Sequence, residues 1–169
     1  MTRIGLEPLA KAIITVRALD LKGKERWCDE IFAEQPCLLA SCLALPRMGV
    51  SMPKLECLLH ILLVCFQAMK ETGLEWPSIS EDDQERQLAR WGGAVRFSES
   101  LEPALGDLAR SDYFTHHSEQ PLLAFVIHEL TGWLAELTEQ GVAEESDKFV
   151  IMAAVNLVQC IASVPMIPG

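Results

Sequence analysis

Glu56 and His60 stand four residues apart, with Cys57 three residues before the histidine. On a helix the first spacing puts a carboxylate and an imidazole on one face, and the second offers a thiolate and an imidazole as metal ligands. Tetrahedral zinc needs four such ligands, and a di-iron bundle needs repeated Glu-x-x-His pairs on facing helices. The sequence contains no Glu-x-x-His and no second Cys-x-x-His, so Cys57 is expected to pack as a small apolar side chain and His60 to lie on a polar stripe. His128-Glu129 opens like a zinc-protease helix, but Gly132 stands where the second histidine belongs. His128 also falls opposite the stripe of Leu122, Val126, Leu130, Trp133 and Leu137, and is expected to face solvent. Gly132 inside this helix predicts close helix packing.

Thiol nucleophiles need a nearby base or helix start to depress the thiol pKa. Cys28 has Lys24 and Arg26 nearby, and Cys57 has Lys54 and His60, which sets neither apart among six cysteines. Asp112, Tyr113, His116 and His117 are the residue types of an acid–base cluster, and equally of a polar loop. Glycine-rich phosphate loops are absent from the sequence. The expectation is therefore no catalytic set, no metal and no cofactor.

Charge is more informative. Fourteen Lys+Arg and twenty-four Asp+Glu give a formal charge of -10. Residues 1–60 hold eight bases and seven acids, whereas residues 61–169 hold six bases and seventeen acids. Two stretches contain six acids each and no base. One comprises Glu71, Glu75, Glu81, Asp82, Asp83 and Glu85; the other comprises Glu129, Glu136, Glu139, Glu144, Glu145 and Asp147. Such runs keep a surface solvated, or they steer a basic partner into contact. The candidate contact residues are Glu75, Trp76, Glu81, Asp82, Asp83, Glu85, Glu136, Glu139, Glu144 and Glu145. Trp76, beside Pro77 within the first run, is the aromatic suited to anchor such a contact. The mildly basic start, with Lys11, Arg17, Lys22, Lys24 and Arg26, is too sparse for a nucleic-acid groove.

Apolar residues recur at spacings of three and four almost throughout, which predicts helices to carry these groups. Leu6-Glu7-Pro8 opens a first helix to about Leu19, and a second carries Trp27, Ile31 and Phe32 up to Pro36. Residues 36–45 read as a short apolar helix and 46–53 as a loop, with Ser51 a candidate cap. Pro53 to Thr72 reads as a helix apolar over most of its circumference, with Glu56, His60, Gln67, Lys70 and Glu71 confined to one stripe and Gly73 at its end. Ser80 with Glu81, Asp82 and Asp83 starts the next, which is expected to reach about Trp91, where Gly92-Gly93 loosens it. Further helices start at Ser100, ending near Arg110; at Ser118, stopped by Gly141; and at Ser146, ending before Pro165.

The fold expected is an all-α, antiparallel bundle of about seven or eight helices forming a single domain over residues 1–169. Half of the residues are hydrophobic, which excludes a disordered chain, and the length excludes a disulfide-dependent mini-protein. Cys57–Met69 and Phe149–Gly169 are charge-free, but the first is too short for a membrane span and polar residues and prolines interrupt the second. Both are expected to be core helices. The amino terminus lacks the long apolar stretch of a secretory signal, and six thiols without a Cys-x-x-Cys pair suit a reducing cytoplasm. The functional expectation is a non-catalytic protein-binding module for a basic partner, of the neutralising or regulatory kind. It involves no nucleic acid and no membrane. The alternatives are a helical bundle with an apolar small-molecule pocket and a homo-oligomer.

Overall fold

The computed structural model describes residues 1–166, apart from the side chains at positions 97 and 98. The last three residues of the charge-free carboxy-terminal stretch lie outside the described residues. The described residues form an all-α bundle of eight helices and no strand: α1 (Leu6–Arg17), α2 (Leu21–Glu34), α3 (Pro36–Leu43), α4 (Met52–Glu71), α5 (Glu81–Ser100), α6 (Pro103–Thr115), α7 (Gln120–Gln140) and α8 (Asp147–Ser163). A 3-10 turn, Leu45–Met48, spans the last residue of the expected short helix and the start of the segment expected to be a loop.

α4 occupies the centre because its sequence leaves it no wet side beyond one stripe. Leu55, Leu58, Ile61, Leu62, Leu63, Val64, Cys65 and Phe66 are all buried, and α1, α2, α3, α7 and α8 pack around it. Met52–Glu71 has the length and apolarity of a membrane-crossing helix, and 67% of its most apolar window is buried inside the fold. α8 is the second core helix, buried from Ala154 through Ile161 and packed against α4, α5 and α7. α5 rests on α8 and forms a hairpin with α6.

Local signals place the ends. The Ser80 hydroxyl accepts the Asp83 N–H at 3.1 Å, and the Asp83 carboxylate accepts the Ser80 N–H at 3.2 Å. This reciprocal cap holds the Asp83 carboxyl below its ordinary pKa, chiefly through the Ser80 hydroxyl. Gly73 and Gly141 follow α4 and α7 with φ of 68° and 70°, the left-handed conformation that glycine adopts at least cost. Ser51 and Ser146, by contrast, make no side-chain cap, and α6 runs on to Thr115. Ahead of α5, the buried Gln35 amide donates to the Pro77 carbonyl and accepts the Ile79 N–H, which fixes the segment that delivers the acidic helix start.

Two glycine expectations fail. α5 runs unbroken through Gly92-Gly93, and a Cβ at Gly93 meets nothing within 4 Å. Glycine lowers helix propensity by about 1 kcal/mol per residue, which packing of the flanking turns overrides. A Cβ at Gly132 likewise meets nothing, so no close helix contact requires that glycine. Gly93→Ala and Gly132→Ala are each expected to stabilise the fold by about 0.5–1 kcal/mol, read as a Tm rise of about 2–3 °C. A fall in Tm for either variant would show a packing demand at that position.

Candidate functional site

The first acidic run borders a groove. Its walls are α3, the Leu45–Met48 turn, α5 and α8, and it encloses about 360 Å3. Leu38, Cys42, Leu45 and Leu157 are buried at its base, while Met48 and Leu88 are exposed along it. Glu81 and Glu85, one turn apart on α5, line it, and no lysine or arginine does. Asn156 of α8 also lines it and is only 7% exposed. Its Nδ2 donates to the Gln84 carbonyl at 3.0 Å, and its Oδ1 has no hydrogen-bond partner.

The second acidic run lies elsewhere. Glu129 and Glu136 line an open polar groove between α4 and α7, with Lys24, Glu56, Cys57 and His60. His60 Nε2 lies 3.9 Å from the Glu129 carboxylate. Its pKa is nevertheless lowered, because partial burial outweighs Glu129, and Lys24 and Arg17 push the same way. Burial, reinforced by Glu129 and Glu136, pushes the Cys57 thiol up to about 11, so it is a thiol at neutral pH. Among the described residues no three His, Cys, Asp or Glu side chains gather into a metal-holding group. His128 is exposed on α7, as its position opposite the apolar stripe predicts.

No family model, no curated protein and no solved structure matches this chain.

The proposed contact residues therefore divide. Glu75, Glu81, Asp82, Glu85, Glu136 and Glu139 are exposed and form no salt bridge among the described residues. Asp83 pairs with Arg86, Glu144 with Lys54 and Glu145 with Lys148. Trp76 is half-buried. Its indole N–H donates to the Met69 carbonyl and the Thr72 hydroxyl, and the Arg3 guanidinium lies 5.1 Å over its ring. The indole is thus occupied in tying the amino-terminal segment to the end of α4. Asp147, part of the second run, is buried against Lys54. The two runs line separate grooves rather than one.

The acid–base types around His116 also resolve. Asp112 Oδ1 sits 3.0 Å from exposed His116 Nδ1, one helical turn away. His117 accepts the Glu119 N–H at Nδ1 and meets Gln159 Oε1 at 3.3 Å through Nε2. Gln159 in turn donates to the Tyr113 hydroxyl. This chain of bonds ties the α6–α7 connection to α8. Sequence reasoning missed Asn156 as a groove residue, whose only signal is an amide within the charge-free part of α8, a signal that Gln159 shares.

Proposed function

We propose that this chain is a protein-binding module that engages a basic partner through the exposed acidic start of α5, in a neutralising or regulatory role. The observation that carries this reading is that Glu81, Asp82 and Glu85 stand exposed without internal cations, two of them beside an apolar groove with no base in its lining. Unpaired carboxylates raise the rate of encounter with a cationic surface, and the neighbouring apolar area supplies the contact that charge alone lacks. Six free cysteines support a reducing compartment such as the cytoplasm for this contact.

The test compares the native chain with a Glu81→Gln, Asp82→Asn, Glu85→Gln variant as affinity baits at low salt. Expected is retention of a discrete protein with a basic isoelectric point, released by salt and not retained by the variant. Retention that ignores the triple substitution, or of proteins no more basic than the input, overturns the reading. The apolar lining of the same groove also favours a second reading, a small amphipathic ligand.

A further inference from the structure

We propose that the α3–α5–α8 groove receives the apolar face of a basic amphipathic helix, and that the Asn156 carbonyl selects an occupant with a hydrogen-bond donor at that depth. The inference rests on the protein-binding reading above and names the partner element. Three observations carry it.

First, the groove is apolar at its base and anionic on one side only. Leu38, Cys42, Leu45 and Leu157 supply the base, and Glu81 and Glu85 supply two carboxylates on one helix face. A helix that buries an apolar stripe can set lysines at spacings of three or four beside those carboxylates. The lining holds no cation that would repel them.

Second, the groove is small. A volume of about 360 Å3 suits a few side chains of one helix and not a domain surface. Met48 and Leu88 remain 47% and 37% exposed beside it, so the fold leaves apolar area there for an occupant to cover.

Third, Asn156 is more than nine-tenths buried and its Oδ1 has no partner. Buried polar atoms are normally paired, and this carbonyl, which has no solvent contact of its own, gains most from an N–H or O–H that an occupant's side chain carries in beside Asn156. The Nδ2 bond to the Gln84 carbonyl holds the amide plane, so the acceptor is fixed and the occupant's side chain must part the lining around Asn156 to meet it. An all-apolar stripe would leave that carbonyl unpaired, whereas a glutamine, lysine or tryptophan within the stripe would satisfy it.

The experiment measures fluorescence anisotropy with synthetic peptides. One is a Leu/Lys amphipathic helix with a glutamine in its apolar stripe, and a second carries leucine at that place. A Leu/Glu helix and an oligolysine of equal charge complete the set. Three variants are compared with the native chain: Ala44→Trp, which fills the groove from an exposed position; Glu81→Gln with Glu85→Gln; and Asn156→Leu. Circular dichroism confirms that each is folded.

Expected is binding of the Leu/Lys helices, none of the Leu/Glu helix, and loss of about tenfold in affinity on Ala44→Trp. The glutamine peptide is expected to bind about fivefold tighter than its leucine counterpart, a preference that Asn156→Leu removes. Oligolysine binding as tightly as the amphipathic helix, with Ala44→Trp silent and the double glutamine variant weakened, overturns the groove and leaves the protein-binding reading standing. Failure of every cationic peptide to bind overturns both. Equal affinity for the glutamine and leucine peptides overturns the role of Asn156. A solution mass of two chains that Ala44→Trp halves would make a second copy the occupant and overturn the proposal.

Discussion

Glu119→Ala is expected to destabilise the fold by about 3 kcal/mol and to lower Tm by about 10 °C. Glu119 has no exposed surface, although it precedes α7 in a polar stretch of sequence. Its Oε1 accepts the Arg3 backbone N–H at 2.9 Å and its Oε2 accepts the Ile4 N–H at 3.0 Å. The Arg3 guanidinium approaches the same carboxylate at 3.4 Å and neutralises it. That guanidinium also donates to the carbonyls of Ile161, Ala162 and Val164, which α8 leaves without intrahelical partners at its end. One carboxylate therefore seats the amino-terminal segment, and the segment closes the last turn of the second core helix. Alanine orphans two backbone donors, one of them in the fully buried Ile4, at about 1–3 kcal/mol each. Peeling of residues 1–5 into water would rehydrate them and caps the loss. Glu119→Gln is expected to lose nearly as much, because its amide sets an N–H against an N–H. Thermal unfolding checks both. A Tm change below about 2 °C in either would show that the segment contributes little.

That joint explains why some of the fold was legible in the sequence and some was not. Helix identity rests on spacing within a few residues, and so do ends such as Ser80–Asp83, Gly73 and Gly141, because caps and glycine turns are local. The core position of α4 was also legible, since a helix apolar nearly all round must be enclosed. Arg3 and Glu119, by contrast, are 116 residues apart, and nothing in either neighbourhood marks a buried pair. Trp76 reads as an exposed anchor because proline, serine and glutamate surround it, yet Arg3 from a distant segment covers its face. Gly93 and Gly132 misled for the opposite reason: a local propensity was read as a structural demand that the packing does not make. For the site, the acids at 81, 82 and 85 were legible as exposed charge. The groove beside them was not, because it exists only where α3 and α8 meet α5.

Asp147→Ala is expected to cost about 3 kcal/mol as well, and pairing it with Lys54→Met should recover more than half of that loss. Sequence places Asp147 at the end of an exposed acidic run, but it is 4% exposed and opens α8 from inside the fold. Its Oδ1 accepts the Lys54 ammonium at 2.7 Å and its Oδ2 accepts the Glu144 N–H at 2.7 Å. Lys54, in the first turn of α4, also donates to the Val142 carbonyl and to Glu144 Oε2. The pair thus fastens the starts of both core helices to the α7–α8 connection. Alanine leaves a buried ammonium with one carbonyl and one exposed carboxylate, and breaking a buried pair from one side is the costly direction. Removing both charges takes away the uncompensated ion, so the double variant loses only the Glu144 cap and some helix-end charge. The hydrogen bond that Lys54 donates to Asp147 is the chief cause that raises the Lys54 pKa above 10.5. Stability drawn from that charge is therefore complete below the ordinary lysine pKa and is lost as pH rises through the folded value. Thermal unfolding of the two single variants and the double variant gives the coupling directly. Purely additive losses would mean that the pair is solvated and that Asp147 belongs with the surface acids after all. Because Asp147 points into the fold, its loss should lower Tm without weakening capture by the α5 face, which separates the structural acid of this run from the exposed ones.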